Sequence, residues 1–323
     1  MDFKALERAT KQQALDSAPV AKPSDAAARG EDILLAIQGR KSISTRNRLE
    51  AAGLGDLAES LRFIPAKSIT RLNDFITEDP DMIQLKRRVM LLAELDDPVL
   101  IHGETGTGKE IIAAALHGWR TGKFLAINTT SLPDNLLESE LFGHVAGAFT
   151  GANTSRVGKL EAALDGTIFL DEIGDMKHNL QEKLLRALQE KVITPVGTNE
   201  ERPINCRVIA ATHKVIRKEN ATGEVTWLPT FREDLYWRIA THEVFITPLR
   251  QRRGDIRELL DSLFDPDGLI IESERDVIEQ LSLTGNVREL DSRVKRMLLE
   301  KRLAEMTNKL SSTGVIAGTE DAV

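Results

Sequence analysis

Aromatic side chains are scarce in this chain of 323 residues: ten Phe, three Trp and one Tyr make up 4% of it. Cysteine is scarcer still, with Cys206 alone, set in the apolar run NCRVIAAT. A lone thiol in such a run reads as a buried structural residue of a reducing compartment, not as a nucleophile or metal ligand. No apolar run approaches the ~18 residues that cross a bilayer, so no membrane segment is expected. The opening MDFKALERATKQQALDS mixes charges of both signs and has no apolar stretch. It does not read as a secretory signal, which leaves the cytoplasm as the expected location. There is no excess of positive charge either: 43 Lys+Arg against 50 Asp+Glu give a net charge of −7. That balance argues against a grip on nucleic acid over the whole surface.

What the chain does have is a change of texture near Asp79. Residues 1–75 are rich in Ala, Arg, Asp and Ser, interrupted by PVAKPSD and GLGD, and read as short helices on a linker. Beyond them come short, nearly continuous apolar runs: PVLIHG, FLAIN, GTIFLDE, RVIAAT and EVFITPL, separated by helical stretches. Runs of this kind predict parallel strands buried on both faces, hence an α/β sandwich. In HNLQEKLLRALQE, Leu180, Leu184, Leu185 and Leu188 recur at spacings that put them on one face of a helix. After Arg250 the strand signals stop, and GDIRELLDSLFD, ESERDVIEQLS and VRELDSRVKRMLLEKRLAEM predict a small helical subdomain. The last stretch, SSTGVIAGTEDAV, has no periodicity and reads as a tail. The expected division is an N-terminal helical segment (1–75), an α/β subdomain (76–250), a helical lid (251–308) and a flexible tail (309–323).

VLIHGETGTGKEIIAAAL runs strand, glycine-rich loop, helix, with GxxxxGK from Gly103 to Lys109. In that context the loop Gly103, Glu104, Thr105, Gly106, Thr107, Gly108, Lys109 offers backbone N–H groups and a helix N-terminus to phosphates, and Lys109 reaches the terminal ones. Glu110 stands where the general pattern has Ser or Thr for magnesium. About sixty residues later GTIFLDE ends an apolar strand on Asp171 and Glu172. Paired acids there are either a solvated strand exit or catalytic; following a phosphate loop, Asp171 is expected to hold Mg2+ through its water shell and Glu172 to polarise the attacking water. FREDLYWRI carries Arg232 and Arg238 on an expected helix. They read either as surface partners of Glu233 and Asp234 or as groups that reach a neighbouring subunit's γ-phosphate.

Together GETGTGKE, ESELFG, GAFTGA, GTIFLDEIGDM, EKLLRALQE, RVIAATH, FREDLYWRI, PLRQRRGDI and GNVREL resemble the AAA+ domain of bacterial enhancer-binding proteins, over roughly residues 76–300. These are the ATPases that activate sigma-54 RNA polymerase. The resemblance implies a P-loop fold with a five-stranded parallel sheet sandwiched by helices and a helical lid. It implies ATP and Mg2+ as ligands, assembly with itself into a ring, usually a hexamer, and sigma-54 with its RNA polymerase as partner. It accounts for Glu110, and it implies that Asn128 holds Glu172 until the γ-phosphate is sensed. Thr212 and His213 match a first sensor, Arg288 a second sensor on the lid, and Arg232 and Arg238 the arginine fingers. Gly147, Ala148, Phe149, Thr150, Gly151 and Ala152 match the loop that touches sigma-54. In physical terms ESELFG and KLEAAL read as helical arms around an inserted loop. Gly147 and Gly151 lower the cost of reshaping it, and Phe149 is an apolar tip to be covered by a partner or folded under its own loop.

The sequence departs from that family in several places. Val145 and Ala146 replace a common acid and base before GAFTGA. An extension, KVIRKENATGEVTWLPT, separates the first sensor from the fingers, and no role for it follows from its sequence. The lid is short, and Leu283-Thr284 stands for the usual Trp-Pro. The 35 residues after Arg288 do not hold a three-helix DNA-binding domain, and STRNRLEAAGLGDLAESLRF would turn Asp56 and Glu59 toward a DNA groove. Specific DNA binding is therefore not expected. The sequence leaves three readings: a sigma-54 activator, the same motor acting on another client chosen by residues 1–75, and a nucleotide-dependent scaffold with little turnover, against which Lys109, Asp171, Glu172, Arg232 and Arg238 all argue.

Overall fold

Each of the five apolar runs becomes a strand of one parallel sheet. The computed structural model describes residues 71–118 and 120–312, so the expectation of an N-terminal helical segment lies almost wholly outside the described residues, as does the tail from 313. Helix α1 (Pro80–Ala93) begins where the Asp79 carboxylate accepts the backbone N–H groups of Asp81 and Met82, with Pro80 in the first turn, where no N–H is needed. There follow β1 (Val99–His102), α2 (Lys109–Leu116), β2 (Phe124–Asn128) and α3 (Asp134–Phe142). A two-residue ribbon, β3 (Gly143–His144) with β4 (Arg156–Val157), leads to α4 (Lys159–Ala162), β5 (Thr167–Asp171) and α5 (His178–Glu190). A second ribbon, β6 (Val192–Ile193) with β7 (Arg202–Pro203), precedes β8 (Arg207–Thr212). The hairpin β9 (Arg217–Glu219) and β10 (Val225–Trp227), then α6 (Glu233–Ile239) and β11 (His242–Phe245), complete the subdomain.

The sheet order is β11-β1-β8-β5-β2, and all four pairings are parallel. Parallel strands need helical crossovers, which cover both faces, and this is why the strands read as unbroken apolar runs. Central β8 is buried at all six positions. Leu180, Leu184, Leu185 and Leu188 of α5 are buried in the same core, each worth ~1.5–3 kcal/mol against exposure. Cys206 is buried beside β8, and burial pushes its thiol up to about 11, as befits a structural residue.

The lid consists of α7 (Gly254–Leu259), which runs on into one π-helical turn (Leu260–Phe264), then α8 (Glu272–Gln280) and α9 (Asn286–Ser312). Its own core joins Leu249, Ile256, Leu260, Ile278, Leu283, Leu290 and Val294. Two boundaries differ from the sequence reading: Leu249 already belongs to the lid core, and α9 runs through Ser312 rather than ending at 308. Asp255 ties the lid to the chain entering α1. Its carboxylate accepts from Thr77 Oγ1 (2.6 Å), from the N–H groups of Glu78 (2.8 Å) and Asp79 (3.2 Å), and from Arg252 Nη1 (2.7 Å). A buried charge so fully partnered holds two segments in register. Among the described residues no helix is long and apolar enough to cross a membrane.

Candidate functional site

The C-terminal ends of β1, β2, β5 and β8 deliver their residues to one edge of the sheet, where open α/β folds gather ligands. Between that edge and the lid lies a cavity of about 900 Å3. From the loop it is lined by Thr105, Gly106, Thr107, Gly108, Lys109 and Glu110, from the other strand ends by Asn128, Asp171, Glu172 and His213, and from the lid by Val287 and Arg288. Gly108, at φ +103°, turns the chain into α2, whose first residue is Lys109. Gly106, at φ +80°, is required twice over, because a Cβ there would stand 2.3 Å from the carbonyl oxygen of Gly285 at the foot of the lid helix. The lid rests on the loop itself: Val287 N donates to Gly106 O (3.0 Å), and Asn286 Nδ2 donates to Thr105 O (3.0 Å).

Lys109 Nζ donates to Gly103 O and to Glu172 Oε1, each at 3.0 Å. The other carboxylate oxygen of Glu172 lies 2.5 Å from His213 Nδ1 and accepts the His213 backbone N–H at 3.2 Å. Burial opposes ionisation of Glu172, but the bonds from His213 and Lys109 outweigh it and hold the carboxyl below its ordinary range. Asp171 is displaced the other way, raised first by burial and then by the neighbouring Glu172 charge. Two adjacent carboxyls are thus driven apart in acidity, a pattern typical of acid–base sites.

Asn128 does not hold Glu172. Its Nδ2 donates to Asp171 Oδ2 (3.4 Å), and its Oδ1 accepts from Thr130 N and Oγ1 (2.8 and 2.7 Å). The reason is register: Asn128 and Asp171 are paired residues of β2 and β5, whereas Glu172 has left the strand at φ +56° and swings toward Lys109 and β8. Gly103 and Glu104 do not line the cavity, although Asn128 does. Glu104 accepts both guanidinium nitrogens of Arg250 (2.5 and 2.7 Å) and Asn286 Nδ2 (3.2 Å), and the Arg250 bond foremost lowers its pKa. Its side chain is a strut between loop and lid.

Glu172, Asp175 and His213 have ligand atoms within 4.8 Å of one another, a spacing that can hold a metal ion; Asp171 lines the same cavity. For a hard cation such as Mg2+ the carboxylates at this edge are suitable donors. The sequence reading missed Phe75, Ile76 and Arg252, which wall the cavity, and Arg250 and Asn286, which brace it. Asn286, fully buried and at φ +55°, sits within GNVREL, but the type of residue alone does not announce its contacts.

Arg232 and Arg238 are not among the residues lining this cavity. Arg232 precedes α6 and clasps Asp234 through Nε (3.0 Å) and Nη2 (2.7 Å); Arg238, in the last turn, donates to Leu188 O (2.9 Å). The GAFTGA segment crowns the β3–β4 ribbon. Gly147 (φ +83°) and Gly151 (φ +98°) have nothing within 4 Å of an added Cβ, so conformation alone selects glycine there. Phe149 is half-buried and packs edge-on against His144, ring centres 5.1 Å apart, so at rest the ring is folded under its own loop. Val196 grips the loop base through Val145 N→Val196 O (3.1 Å) and Val196 N→Gly143 O (2.9 Å).

Comparison with known proteins agrees with this geometry. Residues 75–245 match the model of the sigma-54 interaction domain. The transcriptional regulatory protein GlrR of Escherichia coli K12 is 45% identical over 226 residues, 67% of this chain and 50% of that protein. The C4-dicarboxylate transport transcriptional regulatory protein DctD of Rhizobium meliloti is 42% identical over 235 residues, 69% of this chain and 50% of that protein. The chain therefore spans about half the length of these relatives. The crystal structure of NtrX from Brucella abortus in complex with ATP superposes with a TM-score of 0.60 at 27% identity, covering 78% of this chain and 55% of that one. With a five-stranded AAA+ sheet, a phosphate loop and a family match over more than half its length, the chain belongs to the sigma-54 interaction domain family of NtrC-type transcriptional activators.

Proposed function

We propose that the protein is an ATP-hydrolysing, ring-forming activator that remodels sigma-54 RNA polymerase through the loop carrying Phe149. The observation that carries this reading is Lys109, which bridges the phosphate loop and Glu172 inside a cavity walled by Arg288. Nucleotide phosphates compete for that ammonium. When Lys109 turns to them, Glu172 keeps only its bonds from His213 and one carboxylate oxygen is released to orient and deprotonate water. Its lowered pKa keeps it ionised for that task. Mg2+, when bound, neutralises phosphate charge, and Asp171 and its neighbours are the residues that would hold it. Arg288 reports the phosphates to the lid, while Arg232 and Arg238, which do not line their own cavity, serve the site of the next subunit. In this reading residues 1–75 are a regulatory or interaction segment, residues 76–250 the motor and the helices beyond them its lid.

The output is Phe149. Its seat on His144 and the unobstructed glycines on either side support a loop with a retracted and an extended form, differing in who covers one aromatic ring. The test mixes the protein, sigma-54 and ADP with metal fluoride. A stable complex is expected from the wild type and none from Phe149→Ala, whose ATP turnover stays within about twofold of normal. If the wild type hydrolyses ATP normally yet never captures sigma-54, the motor has another client.

A further inference from the structure

The extension between the first sensor and the finger arginines folds as the β9–β10 hairpin, and its far strand ends in Trp227. That indole meets α6 edge-on at two rings, Tyr236 (5.2 Å between centres) and Trp237 (6.0 Å). From the other strand of the hairpin, the Arg217 guanidinium lies over the Trp237 ring at 5.5 Å. Leu228 N donates to Ile216 O (2.8 Å), closing the hairpin base against the core. The same Tyr236 also pins α6 to the sheet: its hydroxyl donates to Glu243 of β11 (2.9 Å), and Glu243 in turn lies 2.6 Å from His102 Nε2, the last residue before the phosphate loop. Burial, then Glu243, pushes the Tyr236 phenol up to about 12, so it stays a donor.

The seven residues of α6 are too few to be a stable helix by themselves, so tertiary contacts set its position. Arg232 and Arg238 flank the two aromatic residues on which the hairpin bears. Both arginine side chains are at least partly solvent-exposed, and their anchors outside the helix are few: Arg232 N donates to Gln181 Oε1 (2.8 Å) and Arg238 Nη2 to Leu188 O (2.9 Å), so a shift of the helix moves both guanidiniums. Given the reading that these arginines act on a neighbouring subunit's nucleotide, we propose that the β9–β10 hairpin is a brace for α6 and that Trp227 is a positioning residue for arginines acting in trans. The brace stands outside the nucleotide cavity: neither Trp227 nor Arg217 lines the 900 Å3 cavity.

Loss of positioning by about 1 Å costs up to ~100-fold in rate, so Trp227→Ala is expected to lower kcat of the assembled ring by ~10- to 100-fold with KM for ATP unchanged. Trp227→Phe, which keeps an aromatic edge on Tyr236, should recover most of that loss. Subunit mixing separates positioning from a general defect. Lys109→Ala lacks a working phosphate loop but has intact fingers, so it completes the nucleotide sites of Trp227→Ala subunits beside it. Equal mixing should restore about a quarter of wild-type turnover per subunit, since half the subunits are competent and half of those have the right neighbour. Mixing Trp227→Ala with Arg238→Ala should restore none. Wild-type kcat in Trp227→Ala, or no recovery with Lys109→Ala when Arg238→Ala does recover with it, overturns the brace. If Arg232→Ala and Arg238→Ala themselves keep full turnover, the trans-acting arginines fail instead and the brace falls with them.

Discussion

Gly106→Ala tests whether the lid is seated on the phosphate loop as tightly as the geometry requires. The residue sits at φ +80°, where an L side chain costs ~1–2 kcal/mol. The added methyl would also stand 2.3 Å from Gly285 O and 3.1 Å from Arg288 Cβ. A backbone carbonyl cannot rotate away as a side chain can, so relief requires the start of α9 to lift by about 1 Å from the loop. Lifting breaks the Val287 N→Gly106 O bond and the Asn286 Nδ2→Thr105 O bond, each 3.0 Å long, at ~0.5–1.5 kcal/mol apiece. The sum is ~2–5 kcal/mol, or roughly 4–20 °C in Tm for a domain of this size. Gly223→Ala is the control. It carries nearly the same φ, +84°, with nothing within 4 Å of the new methyl, so it isolates the conformational cost. Thermal melts of both variants, with titration of a fluorescent ATP analogue, separate the two contributions. Gly106→Ala should lose ~1–3 kcal/mol more stability than Gly223→Ala and bind nucleotide about tenfold more weakly or worse, because Arg288 moves with the lid. Equal melting temperatures for the two variants would refute the seating, since the contact would then carry no free energy.

Asp255→Asn removes the charge from a fully buried pair and leaves Arg252 uncompensated, which costs ~3–5 kcal/mol in urea denaturation. Because Asp255 also receives Thr77, Glu78 and Asp79, limited proteolysis near residues 74–79 should accelerate in the same variant. His213→Gln removes the imidazole that helps hold Glu172 below its ordinary range. A carboxyl with a depressed folded-state pKa stabilises the fold above the unfolded value of ~4.3 and loses that contribution as pH falls through the folded value. The variant should therefore unfold at a higher pH than wild type in an acid titration followed by circular dichroism. An identical acid midpoint would show that His213 contributes nothing to Glu172.

The sheet was legible because its chemistry is two-sided. A strand covered by helices on both faces has no reason to alternate, and GTIFLDE and RVIAAT carried that signature into β5 and β8, whereas FLAIN, equally apolar, became the edge strand β2, of which only Ile127 is buried. The loop lysine and the acids after β5 were legible for a similar reason, as residue types at fixed spacing along a strand–loop–helix and at a strand end. The β9–β10 hairpin was not. RKE and VTW are three residues each, mostly polar, and what fixes them is an aromatic contact with a helix that is itself short.

The assignment that failed at the site shows where pattern stops and geometry begins. Asn128 stands opposite Asp171 in the parallel register, and its amide donates to that carboxylate, while Glu172, one residue further on, bonds Lys109 and His213. Glu172 is free to choose Lys109 and His213 because its backbone enters the left-handed region at φ +56°, and Asn286 reaches loop, strut and lid from φ +55°. Neither residue is glycine, so neither conformation is announced by composition. Both cost strain that the surrounding hydrogen bonds must offset. Among the described residues only five non-glycine positions adopt such angles, and two of them are the hubs on which Lys109, Glu104 and the lid converge. The strain sits at two contacts of the phosphate loop with its surroundings, Glu172 between Lys109 and His213 and Asn286 between the loop and the lid, so a variant that relaxes either backbone, such as Asn286→Gly, gives up the hydrogen bonds that hold the loop in place.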